Sequence, residues 1–498
     1  VAPLLALAAA AATTPARPRE PTSAQPTASF VIIGARIADG TGAPLAAGSV
    51  RVQGDAIAEV GRLTPRPGEP VIDGTGMVLA PGFIDPHNHS TAGLEVEPAA
   101  VTQVSQGITT VAVGQDGSSP WPIGEYLSRL RAKPPAVNAV VFAGHATIRR
   151  NVMGNDYARA ARPDEVARMA ALVSQAMHQG AFGLSSGLEY EVGSYSATDE
   201  VVTMARAAGA KGGLYISHIR DEADRSLEAI REAIAIGERG RVPVQITHIK
   251  LGTVGVWGMA GEVVAMIEAA RRRGVDVTAD AYPYLAWQAG PRVLIPNKQY
   301  TDSASVRRGL DDIGGAKNVQ ITRWAAHPEF VGQRLNEAAR ALGVSDIAAY
   351  IQFQGDEESG MIGHTMIEDD LRTFLRQPWV MVSSDGGIAN NHPRGAGTYP
   401  RVLGRYVREL GWLTLPEAIH RMTARPAARL GLRDRGMVKP GMKADLVLFD
   451  PAAVIDRATF EQPRALSAGI ARVWVNGAQV WTGSAVTEAR PGRMLTRG

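Results

Sequence analysis

The sequence predicts an α/β chain built as a (β/α)8 barrel, with a small β-sandwich assembled from both termini. Three observations carry this expectation. Eight apolar, strand-like runs lie between residues 77 and 384, and seven of them are followed by amphipathic helical stretches. Short alternating runs punctuated by Gly and Asp turns occupy both ends of the chain. A length of 498 residues, at roughly 150 per domain, leaves room for one large barrel and an accessory module.

Composition narrows the class further. An apolar fraction of 45% and a charged fraction of 20% suit a chain with a sizeable core, and exclude a mainly disordered, collagen-like or coiled-coil protein. Fifty-two Lys and Arg against 49 Asp and Glu leave a formal charge of only +3, so there is no basic stripe for nucleic acid. With no cysteine, disulfides, thiolate nucleophiles and Cys-bound metals are all excluded.

Taken in order, residues 1–28 open with VAPLLALAAAAA, an apolar run too short to span a bilayer but suited to the apolar core of a secretory signal. A Pro-rich linker follows. The expectation is a periplasmic or secreted protein; if the segment is only a disordered tail, a cytoplasmic one. Residues 29–80 give the alternating runs SFVIIGARIADG, GSVRVQGDAIAEVG and PVIDGTGMVLAPG, the first part of the sandwich. The barrel is expected over 81–433, its first run beginning slightly earlier. The runs are MVLAPGFID, ITTVAVG, NAVVFAG, GAFGLSSG, GGLYIS, VPVQIT, GVDVTAD and WVMVSS. Helices such as PDEVARMAALVSQAMHQ and RSLEAIREAIAIGERG alternate with them. The stretch at about 285–378 is longer than one crossover needs and is expected to be an insertion over the barrel mouth. Residues 434–498, with ADLVLFD and ARVWVNGAQVW, return to the sandwich.

Functional residues of such a barrel sit at the C-terminal ends of its strands. Here those ends carry His87 and His89, Asp116, His145, Glu189, His218, His248 and Asp385. With His392, six of the ten histidines fall at or near one face, which packing alone does not explain. In His87-Asn88-His89 the two imidazoles, two residues apart on an extended segment, point the same way. With further histidines and carboxylates they suit a borderline cation such as Zn2+, and a carboxylate bridge can hold two metals about 3.5–4 Å apart.

These blocks resemble the amidohydrolase superfamily, and within it the D-aminoacylase, or N-acyl-D-amino-acid deacylase, family. The resemblance runs from about Phe30 to Trp481. It is carried by APGFIDPHNHS at 80–90, QGITTVAVGQDG at 106–117, GHATIRRNVMG at 144–154 and GAFGLSSGLEYEVG at 180–193. LYISHIRDE at 214–222, QITHIK at 245–250, DAYPY at 280–284, VSSDGG at 382–387, HPRGAGTYPRVLG at 392–404 and RDRGMVKPGMKADLVLFD at 433–450 complete it.

The resemblance implies a zinc-dependent hydrolase in a deformed barrel, with one or two ions per chain and two favoured. By motif position, His87 and His89 would ligate one metal, and His218 and His248 the other. Asp385 would be both a metal ligand and the catalytic proton shuttle. Best-known family members bridge the metals with a cysteine after strand 2; Asp116 stands there instead. Glu189, at the end of strand 4, is the expected bridge and Asp116 the alternative.

Lys250 and Tyr282 match the positions that hold the substrate's carboxylate, and Arg220 and Arg394 are further candidates. His145 is a candidate for stabilising the oxyanion or orienting a ligand. The expected reaction is hydrolysis of an N-acyl amino acid, with the D series favoured by the resemblance. A metallo-dipeptidase or carboxypeptidase is the runner-up, and a cyclic amidase a third reading. The expected partner is a small N-acyl amino acid or peptide-like molecule, without nucleic acid or stable membrane insertion; a homo-oligomer stays open.

Overall fold

The computed structural model describes residues 29–497, so the signal-like segment and linker at 1–28 lie outside the described residues. Eight parallel strands form the barrel: β1 (Phe83–Asp85), β2 (Ile108–Val113), β3 (Asn138–Val141), β4 (Gly183–Gly187), β5 (Leu214–His218), β6 (Val244–Ile246), β7 (Val277–Ala281) and β8 (Val380–Val382). The wall is drawn as two sheets, because β3 is interrupted at Phe142 and resumes as the short strand Ala143–Gly144 beside β4. Every residue of these strands is buried, as parallel strands covered on both faces require.

The last seam closes just beyond the ends of β1 and β8. There the His89 N–H donates to Gly386 O at 2.6 Å, and the Asp385 N–H to His87 O at 3.0 Å. Helices Ile123–Ala132, Pro163–His178, Thr198–Gly209, Ser226–Gly240 and Ala260–Arg272 pack outside, each turning its apolar face to the wall.

The apolar run 77–85, read as one strand, is two. Val78–Pro81 belongs to the accessory sheet and Phe83–Asp85 is β1. They part at Gly82, where a Cβ would sit 2.2 Å from the Thr109 side chain, so only glycine lets the backbone pass.

The accessory domain is one continuous hydrogen-bonded sheet of eight strands, drawn from 29–81 and 446–481. It folds over itself to make the sandwich. Ser29–Ile37 and Ile470–Val475 are separated by two strands, yet Phe30 and Trp474 stack at 5.5 Å between ring centres. The hairpin at Ala56 returns over the sheet, with the Ile57 N–H donating to Met442 O and the Ala444 N–H to Asp55 O, both at 2.8 Å. Ile32, Val50, Val52, Leu79, Leu446 and Leu448 fill the space between.

The insertion builds a core of its own around Trp324, Tyr350 and Phe353, with a three-stranded antiparallel sheet and helices Ser303–Asp312, Leu335–Leu342 and Asp346–Gly355. It leaves and rejoins the barrel side by side, because Trp287 pairs with Gly363 across that sheet. The helix Glu368–Leu375, counted in the insertion from sequence, belongs to the barrel. Asp370 at its start accepts the N–H groups of Gly258 and Ala260 at 2.9 and 3.3 Å. Among the described residues no helix is long and apolar enough to cross a membrane.

Barrel and sandwich are joined by a buried polar knot. Asn138 on β3 donates to Asp445 Oδ2 at 3.1 Å and accepts from Asn476 at 2.7 Å, while Arg435 pairs with Asp445. Asp445→Ala would strand the Arg435 charge in the interface, and is expected to cost about 3–5 kcal/mol, read as a lowered denaturant midpoint.

Candidate metal-dependent active site

Three strand ends deliver their residue by a sharp turn. Asp116, His248 and Asp385 all have left-handed backbones, with φ of 52°, 35° and 47°. Such conformations cost of order 1–3 kcal/mol each and persist only where the surroundings hold them. Buried carboxylates do so here. Asp280 at the end of β7 accepts the His248 N–H at 2.9 Å. Asp85 at the end of β1 accepts the Ser384 N–H at 2.9 Å, the Asn88 side chain at 2.8 Å and the His87 N–H at 3.3 Å.

The side chains so aimed converge over the barrel axis. His87 Nε2 and His89 Nε2 are 3.3 Å apart, and Asp385 Oδ1 lies 3.5 and 3.1 Å from them. Across the mouth His218 Nδ1 and His248 Nε2 are 3.1 Å apart. Asp116 stands between the pairs. Its Oδ1 is 3.4 Å from His87 and 3.6 Å from His248, and its Oδ2 is 3.3 Å from His89.

His87, Asp116, His248 and Asp385 each offer a ligand atom, all within 4.8 Å of one another, and His218, Glu222 and His248 form a second such group. Asp116 Oδ1 is buried without a hydrogen bond although three imidazoles surround its carboxylate. An orphaned oxygen among crowded ring nitrogens is what a cation would satisfy. The donors are all nitrogen or oxygen, a set that fits zinc.

The electrostatics agree. Burial opposes a charge on His89, but Asp116 and Asp385 outweigh it and hold the imidazole up at about 9. Burial and Lys250 oppose a charge on His248, and Asp385, Glu222 and Asp116 still raise it to about 10. Burial also works against the carboxylates. His87 and His248 nonetheless hold Asp116 well below the usual range, as Arg394 and His248 hold Asp385. The centre is thus built to surround positive charge.

The expected residues divide into those the fold gathers and those it does not. Lys250, Tyr282 and Arg394 come together beside the ligands. The Arg394 guanidinium lies 4.7 Å and the Lys250 ammonium 5.9 Å from the Tyr282 ring, and Arg394 Nη1 is 2.7 Å from Asp385 Oδ2. Lys250 and Arg394 line the same cavity as the metal-site residues, a space of about 570 Å3 roofed by Trp287, Val293 and Leu294 of the insertion.

Glu189 does not occupy the bridging place. Its Oε2 is 2.8 Å from His218, its only imidazole partner among the described residues, and its Oε1 accepts the Glu222 N–H at 3.0 Å. The left-handed turn at Asp116 carries that carboxylate to the centre, while Glu189 stays at the His218 edge.

Arg220 turns away from the cavity, in a two-pronged pair with Glu232 at 2.7 and 2.8 Å. His145 is also not at the cavity. It begins a helix, fully buried, with Nε2 2.9 Å from Glu200, which also pairs with Arg149. Sequence reasoning missed Glu222, whose Oε1 is 3.1 Å from His248 Nδ1 and whose Oε2 is 2.6 Å from Lys250 Nζ. It lies in the irregular loop after His218, where no periodic pattern marks it, so only the fold brings it to the ligands.

Residues 70–481 match the amidohydrolase family. The chain is 38% identical over 493 residues to a D-aminoacylase of Alcaligenes xylosoxydans xylosoxydans, covering 94% of this chain and 97% of that one. A solved D-aminoacylase with a binuclear metal centre superposes with a TM-score of 0.85 at 37% identity, over 95% of this chain and all of that one. The N-acyl-D-glutamate deacylase of Bordetella bronchiseptica, solved with zinc and a phosphonate mimic of the tetrahedral intermediate, gives 0.87 at 35% identity over the same shares, 95% and 100%. The strand-end histidines, the shared fold and these likenesses place the chain in the amidohydrolase family, in the branch of the D-aminoacylases.

Proposed function

We propose that the chain is a zinc-dependent deacylase that hydrolyses the amide bond of N-acyl-D-amino acids, releasing a carboxylic acid and the free amino acid. One observation carries the reading. Two buried cations, Lys250 and Arg394, share a single cavity with the His and Asp cluster, so an anionic group can be held beside a polarised amide. The similar proteins named as acting on N-acyl-D-amino acids supply the stereochemical series.

The residues divide the work. His87, His89 and Asp385 would hold one metal and His218 and His248 the other, with Asp116 as the shared ligand. Bound zinc supplies Lewis acidity for the amide oxygen and makes a water nucleophilic near neutral pH. Asp385 would serve as the proton carrier, taking a proton from the water that adds to the carbonyl carbon and giving it to the amine nitrogen as the C–N bond breaks. Arg394 on its Oδ2 keeps it ionised until then. Lys250, Arg394 and Tyr282 hold the substrate's carboxylate and so fix which face of the amide is presented.

Three outcomes are expected. Zinc-loaded protein releases free amino acid from N-acetyl-D-amino acids and leaves the L enantiomers intact; the opposite preference, or cleavage of dipeptides alone, would sink the reading. In elemental analysis, wild type and Glu189→Ala carry about two zincs and Asp116→Ala about one, because Asp116 lies within 3.6 Å of a histidine of each pair whereas Glu189 meets only His218. Arg394→Ala raises KM roughly 10–100-fold, the worth of about 1.5–3 kcal/mol for a hydrogen bond to a charged group.

A further inference from the structure

His248 faces two ways. Its Nε2 looks toward His218 and Asp116, and its Nδ1 lies 2.9 Å from Lys250 Nζ and 3.1 Å from Glu222 Oε1. With Nε2 given to a cation, the ring's proton must be on Nδ1, which makes that nitrogen a donor. The Lys250 ammonium is a donor only. Two donors 2.9 Å apart repel unless one acceptor serves both. The Glu222 carboxylate does so: its Oε1 lies 3.1 Å from His248 Nδ1, and Lys250 Nζ reaches both oxygens, at 2.7 Å from Oε1 and 2.6 Å from Oε2. It is itself fixed through its N–H on Glu189 Oε1.

We propose that Glu222 is a positioning residue that couples metal binding to substrate recognition, because one carboxylate sets both the His248 ring and the Lys250 ammonium. The part concerning Lys250 rests on the deacylase reading; the part concerning His248 does not. A metal ligand and a substrate-binding cation are thereby placed by the same group, and neither can shift without the other.

Glutamine in its place keeps one acceptor oxygen, which His248 and Lys250 must then share, and it loses the negative charge and turns a donating NH2 toward the ammonium. The test is a double-mutant cycle in zinc-loaded full-length protein, comparing wild type, Glu222→Gln, Lys250→Met and the double variant. Zinc affinity is read by competition with a chelator, and KM is measured at saturating zinc for an N-acetyl-D-amino acid and for its α-carboxamide.

Glu222→Gln is expected to weaken zinc about 10–100-fold, the usual effect of losing a ligand's hydrogen-bond partner. It should also raise KM for the acid about tenfold and leave KM for the carboxamide within about twofold. In the Lys250→Met background the same change should cost far less zinc affinity, since the amide oxygen is then free for His248. Equal zinc losses in both backgrounds, or none in either, would overturn the coupling. Loss of one zinc even at saturating metal would make Glu222 a ligand, and overturn it too. A wild type that turns over neither substrate would refute the deacylase reading while leaving the zinc cycle interpretable.

Discussion

The site depends on how the barrel closes. The seam between first and last strands is sealed by the backbone of His87, His89, Asp385 and Gly386, the segments whose side chains supply ligands. Closure and ligand geometry are therefore one constraint. Asp85 reinforces it by reaching Ser384 across the seam and His87 and Asn88 on its own side. A loosened seam would separate the imidazoles of one strand from the carboxylate of the other.

The same economy appears in the backbone. Three of the ligand candidates sit in left-handed turns, a conformation that side chains other than glycine seldom adopt. Asp280 and Asp85 hold two of these turns through hydrogen bonds formed inside a fully buried wall. Strain, burial and charge are concentrated together at the strand ends, and the apolar barrel below supplies the rigidity that keeps them so.

Much of this was legible in the sequence, for physical reasons. Buried parallel strands need unbroken apolar runs, and each run ends where polar residues begin, so the strand ends and their histidines could be read directly. The split at Gly82 could not, because the apolar pattern continues across it and only the close approach of Thr109 reveals the turn. Arg220 and His145 misled because their partners, Glu232 and Glu200, lie on later helices at distances no local pattern encodes. Asp116 rather than Glu189 stands between the histidine pairs, a placement that the left-handed backbone at Asp116 accompanies and no local pattern encodes. The helix Glu368–Leu375 carries an amphipathic pattern like those of its neighbours, and only its packing assigns it to the barrel.

The way the insertion is attached has a wider consequence. It starts and finishes on paired neighbouring strands, Trp287 opposite Gly363, and keeps a core separate from that of the barrel. It is thus hung from the catalytic scaffold like a replaceable visor. Changes to its length or packing alter the roof of the cavity while the closing seam and the ligands stay put. Over evolutionary time, such a part can be redrawn for new acyl groups or side chains at little risk to the chemistry beneath it.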